Sequence, residues 1–327
     1  MKGKLSHYLL ALVLCFINRV WGAPERTTLL KFQYAPFPYK ESPHSHKPPF
    51  FDVNDKGRRG HTSARGGVYW EDATYSDNRV LISIPPHFKL AKKPLIVVYL
   101  HGNLATLERD VRDRQRIPEQ LADSGLNAIL VAPQFAVDAQ DSSPGHFADK
   151  DFFEKFLAEV ADKTGRWQKN IRYTQQLKNA KVVIVAYSGG YQAAACALEN
   201  GGVEKRIAGV ALLDALYGQE QSFADFILNN HGHSFFVSSY TESARESNEL
   251  LMSLLKKHGQ DFRFNLPNKL QSNNLSFIEL GEAVDHHQLL ARAWTESPLT
   301  DLLRRVKANN KKNTPRKVAQ NNLGAHE

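Results

Sequence analysis

The chain has 327 residues, 42% of them hydrophobic and 23% charged, with 42 basic against 34 acidic side chains and a net charge of +8. That length lets one large domain bury its own core without a metal or a disulfide staple. Two cysteines exclude a disulfide framework, and a basic excess gathered near the C-terminus argues against a nucleic-acid-binding face spread over the fold. In chain order, Lys2 and Lys4 come first, followed by an apolar run over 8–17 that is too short to span a bilayer comfortably. Asn18 and Arg19 interrupt it, and the small residues Gly22 and Ala23 follow. This order predicts a secretory signal over 1–22 and an exported protein, periplasmic or secreted; the competing reading is an uncleaved anchor. Cys15 lies inside that segment, so Cys196 is the one cysteine left after it, in an Ala-rich stretch that reads as core.

The extension over 23–67 is predicted to be largely irregular, because residues 40–67 are rich in Pro, His, Gly, Lys and Arg. His44, His46 and His61 fall there without a regular ligand spacing, so no metal centre is predicted. A folded domain is then expected over 68–306. Arg79–Ile84 alternates and ends at Pro85-Pro86, as a strand does. Leu95–Leu100 is a continuous apolar, β-branched run, the composition of a strand buried on both faces. A polar segment over 108–124 reads as a helix closed by Gly125, and 127–132 as the next strand. Residues 152–163 read as an amphipathic helix, 181–186 as a buried strand and Tyr191–Glu199 as a helix stopped by Asn200-Gly201-Gly202. Ile207–Leu213 and 233–239 are further strands, with helices over 223–228 and 244–258 after them; 275–280 is the last strand. Residues 288–306 look helical with a break at Pro298. Strands alternating with helices predict an α/β fold with a mostly parallel central sheet and helices on both faces. Residues 307–327 form a basic, polar tail predicted to be disordered; it could touch an anionic envelope surface.

The chemistry gathers at strand ends. The buried run Val182-Val183-Ile184-Val185 leads into Ala186-Tyr187-Ser188-Gly189-Gly190, and an Ala-rich helix follows. A sharp strand–turn–helix corner needs small residues two before and two after the serine, and Ala186 and Gly190 supply them. Such a turn lifts the Ser188 hydroxyl clear of the sheet, and the helix N-terminus favours negative charge beside it. His101-Gly102-Asn103 directly follows the strand Leu95–Leu100. Asp285-His286-His287 follows the last strand, and Asp214 closes the strand Ile207–Leu213. Glu242, after the strand over 233–239, is the other well-placed carboxylate, at the start of a charged helix.

Together the serine turn, the His-Gly-Asn loop and the terminal histidine pair resemble the α/β-hydrolase superfamily over about 79–306. More narrowly, Ala186–Tyr191 with Leu213–Gly218 is similar to a group of uncharacterised bacterial exported hydrolases. Ala186 departs from the usual glycine. The resemblance implies Ser188 as nucleophile, N–H groups of Gly189 and Asn103 (or the neighbouring Leu104) as oxyanion donors, and a histidine base after the last strand. His286 fits the base better than His287, which falls on the following helix. It implies an acid between serine and histidine in chain order, and Asp214 is ranked ahead of Glu242 because its strand is cleaner; Asp285 is too near His286. His101 precedes the serine and is read as structural. Gln134, Phe135, the loop over 141–147, Tyr187 and Tyr191 would line the site. The implied substrate is a small-molecule ester or amide; an envelope peptide and a binding role without catalysis are the rival readings. No phosphate-binding glycine loop or cofactor signature is present, so no cofactor is predicted.

Overall fold

A computed structural model describes residues 26–39, 49–230 and 232–306. The signal-like segment, His44, His46 and the basic tail lie outside the described residues. In chain order come β1 (Arg26–Lys31), β2 (Val53–Asp55), β3 (Arg58–Thr62), β4 (Val68–Trp70), the single turn α1 (Glu71–Thr74), β5 (Arg79–Ile84) and β6 (Leu95–Leu100). A π-wound segment (Leu107–Arg114), α2 (Ile117–Ser124), β7 (Ala128–Pro133), α3 (Phe152–Trp167) and α4 (Ile171–Lys178) follow. The chain continues through β8 (Lys181–Tyr187), α5 (Tyr191–Glu199), β9 (Ile207–Leu213) and α6 (Glu220–Asn229). It ends in β10 (Phe235–Tyr240), α7 (Arg245–Lys257), β11 (Leu275–Glu279) and α8 (Pro298–Arg305).

The main sheet has eight strands in the order β1-β5-β7-β6-β8-β9-β10-β11. The six strands from β7 to β11 run parallel; β5 adds to β7 antiparallel, and β1 in turn pairs antiparallel with β5. Every residue of β6 is buried, and its side chains alternate between two cores. Ile96, Val98 and Leu100 face the core built with α3 to α7; Leu95, Val97 and Tyr99 face the one built with α2 and α8. A strand covered on both faces must be apolar throughout, which is why β6, β7 and β8 read as unbroken hydrophobic runs.

The chain leaves β6 toward β7 with α2 on one face, then returns past β6 to β8 with α3 and α4 on the other. Right-handed crossovers require the change of face when the direction of travel reverses. The reversal opens a crevice at the carboxyl ends of β6 and β8, the place where parallel sheets bind ligands.

Several predicted elements take a different form. The extension over 23–67 contains strands that the sequence did not announce: β1 pairs along its whole length with β5, and β2 and β3 join β4 in a second, three-stranded sheet. Little of that sheet rests on apolar periodicity. Arg58 and Arg59 pair with Asp72 and Glu71 and lie over Trp70 and Phe51, so ion pairs and ring faces stand in for it. His61 packs there too, stacked on Phe50 with its ring centroid 4.1 Å away. The helix expected over 108–124 is split, because Arg116 adopts a left-handed conformation and Pro118 starts a new helix at its N-terminal turn. An unpredicted helix, α4, begins where the Asn170 side chain accepts from Arg172 N–H at 3.0 Å. Of the helix expected over 288–306, only α8 forms, opened by Pro298. No helix among the described residues is long and apolar enough to cross a membrane.

Candidate active site

Ser188 stands at the turn between β8 and α5 with φ of 51°, a left-handed value unusual for a residue with a side chain. Two close approaches leave no room for larger neighbours. A Cβ on Gly102 would lie 2.7 Å from Ser188 Cβ, and one on Gly190 would collide with the Leu100 carbonyl. The serine corner and the loop after β6 are therefore fitted against each other through glycine.

His286 Nε2 lies 2.9 Å from Ser188 Oγ, and His286 Nδ1 lies 2.6 Å from Asp214 Oδ2. The three residues sit after β8, β9 and β11, so separate strand ends bring together groups remote in sequence. Asp214 is fully buried and, like Ser188, has a left-handed backbone, with φ of 44°. Its Oδ1 accepts from Thr241 N–H and its Oδ2 from the Thr241 hydroxyl, both at 2.8 Å. Tyr217 O–H adds a longer contact to Oδ2 at 3.3 Å. Burial alone would raise the pKa of this carboxyl; the hydrogen bonds from His286 and Thr241 outweigh it and hold it below the ordinary aspartate value.

The remaining acid and base candidates lie elsewhere. Glu242 is exposed and pairs with Arg245 at 2.6 Å. His287 is exposed, and its N–H donates to the Asp285 side chain at 2.8 Å. That bond caps the short turn His286–Gln288 and leaves the His286 ring facing inward. Tyr187 holds the same turn from below: its hydroxyl donates to the His286 carbonyl at 2.9 Å. Its ring stacks on the imidazole, with centroids 5.3 Å apart and planes 16° from parallel.

Asn103, Gly189, Phe135, Asp141 and Ser142 line a narrow crevice beside Ser188. Leu104 N–H donates to the Ala139 carbonyl at 2.9 Å, which removes it as a donor to any bound oxygen. Asn103 N–H has no acceptor among the described residues. Its direction is set through His101. That ring is buried, and burial lowers its pKa and keeps it neutral. Nε2 accepts from Phe135 N–H at 2.9 Å, which leaves Nδ1–H to donate to the Gly102 carbonyl at 2.7 Å. In a planar trans peptide the N–H points opposite the carbonyl, so fixing Gly102 C=O fixes Asn103 N–H. Gln134 anchors the rest of the loop, accepting from Leu107 N–H at 3.0 Å and donating to the Ala105 carbonyl at 3.1 Å. Ser142 Oγ donates to Asn103 Oδ1 at 3.1 Å.

Thr241 carried no sequence signal; Ser142 falls in the loop over 141–147 and Tyr217 in the stretch Leu213–Gly218, both singled out in the sequence, but the contacts of all three exist only once distant strand ends meet. Among the described residues no group of three or more metal-ligating side chains is assembled.

No family model matches the chain, and no curated protein matches it. Among solved structures it is similar to the feruloyl esterase module from Clostridium thermocellum, at 14% identity over 84% of this chain and 96% of that one, TM-score 0.46. It is also similar to an S-formylglutathione hydrolase from Agrobacterium tumefaciens, at 14% identity over 70% and 90%, TM-score 0.43. A third likeness is to a siderophore hydrolase from Aspergillus nidulans, at 12% identity over 80% and 95%, TM-score 0.38. The strand order with its reversal around β6, and a left-handed serine corner after β8 with its partners after β9 and β11, give this chain the α/β-hydrolase fold.

Proposed function

We propose that the chain is a serine hydrolase that cleaves an ester bond of a small-molecule substrate through an acyl-enzyme. The observation that carries this reading is the unbroken path from Ser188 Oγ through the His286 ring to the buried, ionised Asp214. In the proposed mechanism His286 Nε2 takes the Ser188 proton as Oγ attacks the ester carbonyl. Asn103 N–H and Gly189 N–H receive the negative charge that develops on the carbonyl oxygen. Asp214 holds the imidazole in the tautomer with its proton on Nδ1 and stabilises the imidazolium. His286 then passes the proton to the leaving alcohol, and water, deprotonated by the same ring, releases the acid and restores Ser188.

A fluorophosphonate probe tests the nucleophile: wild type labels, Ser188→Ala does not. Absence of labelling in wild type overturns the reading. Short-chain p-nitrophenyl esters beside the matching anilides test the bond class; turnover of anilides alone moves the assignment to an amidase. We further propose that the enzyme acts outside the cytoplasm, on the strength of residues 1–22. N-terminal sequencing of the protein recovered from the envelope or medium, starting at Ala23, is the expected result.

A further inference from the structure

The hairpin between β3 and β4 ends in a tight turn over 63–67, closed by Ser63 N–H to Gly67 O at 3.1 Å and Gly66 N–H to Ser63 O at 2.9 Å. The turn is bolted to the rim of the site. Buried Ser63 donates its hydroxyl to the Gln140 carbonyl at 2.7 Å, and Gln140 N–H donates to Tyr69 Oη at 3.1 Å. Two residues further on, Ser142 touches Asn103. From this fixed turn the exposed Arg65 side chain extends to the opposite rim, its guanidinium carbon 5.9 Å from the centre of the Tyr217 ring. The Tyr217 hydroxyl lies 3.4 Å from His286 Nδ1. One aromatic ring thus separates the guanidinium from the imidazole.

The other two arginines of the hairpin are committed to carboxylates, Arg58 to Asp72 and Arg59 to Glu71. Arg65 has no carboxylate within ion-pair distance among the described residues. A guanidinium held at the mouth of a site, on a backbone anchored from both sides, offers a planar fork matched to a carboxylate. Resting on the ester-hydrolase reading, we propose that Arg65 is a specificity-determining residue and that the preferred substrates are esters bearing a free carboxylate. Arg65 binds that carboxylate, and Tyr217 supports the guanidinium from beneath through its ring face.

The test uses the p-nitrophenyl half-esters of succinate, glutarate and adipate, each beside an uncharged ester of matching length. Wild type is expected to show higher kcat/KM for at least one half-ester than for its neutral counterpart. Arg65→Gln should lower kcat/KM on that half-ester by about tenfold, the size of one charge-assisted hydrogen bond. On the neutral ester the change should stay under about threefold, and the half-ester preference should shrink as salt is raised, because the group is exposed. Equal loss on both substrates, or no half-ester preference in wild type, overturns the proposal. An enzyme that labels with fluorophosphonate and turns over neutral esters alone overturns the Arg65 assignment and leaves the hydrolase reading standing; no labelling and no turnover overturns both.

Discussion

Asp214 and Glu242 end neighbouring strands, yet only Asp214 reaches the histidine. The later strand contributes in a different way: Thr241, the residue before Glu242, gives Asp214 both a backbone and a side-chain hydrogen bond. Asp214→Asn is expected to lower kcat by about 10³–10⁴, because the amide favours the wrong imidazole tautomer. Glu242→Gln, which loosens one exposed ion pair, should leave kcat within about twofold. Steady-state assays on one ester separate the two. The acid side of stability follows from the same carboxyl. Its native pKa lies below the unfolded value, so its contribution is complete above the ordinary aspartate pKa and disappears as pH falls through the native one. Urea unfolding should therefore give wild type an advantage over Asp214→Asn at about pH 6 that vanishes toward about pH 2.

At the scale of elements, the loop after β6 and the corner after β8 meet because β6 and β8 pair from Leu95↔Lys181 to Leu100↔Ala186. That register places the His-Gly-Asn loop level with the serine. His101 then acts as a positioning residue through the Gly102–Asn103 peptide. His101→Leu should lower kcat by about 10²-fold with KM little changed, while Ser188 still labels with fluorophosphonate, though more slowly. A fall in kcat matched by an equal fall in the fraction of folded enzyme would mark a purely structural role. Much of this was legible in the sequence. Unbroken apolar runs revealed β6, β8 and β9, and the small residues around Ser188 revealed the corner. The sequence favoured His286 over His287 for lying ahead of a helix, but both fall in the short turn His286–Gln288; what turns His286 inward is Asp285 capping His287 N–H and Tyr187 gripping the His286 carbonyl. The hairpin was missed for a related reason: its stability comes from paired arginines and stacked rings, which leave no alternation of apolar and polar residues.

Across the whole molecule, the sheet's parallel core is finished on one side by β5, which runs against it, and by β1, which pairs antiparallel with β5. β1 covers the outer edge of β5, whose residues from Val80 to Ile84 are all buried. An uncovered apolar strand is a template for pairing with another chain. Deleting residues 26–31 should shift the protein toward large aggregates in size-exclusion chromatography, with ester turnover lost in proportion.

The hairpin over 53–70 leaves the main sheet after β1 and is complete before β5 begins, so it interrupts none of the strands that carry Ser188, Asp214 or His286. On the function and the Arg65 role proposed above, bond-breaking and substrate choice would fall on separate stretches of chain. The hairpin turn can lengthen, shorten or exchange its side chains while the sheet beneath keeps its register. Lineages descending from this scaffold could acquire new diets by rewriting fewer than twenty residues near its beginning, and a library confined to that stretch is a direct way to retrace such a history.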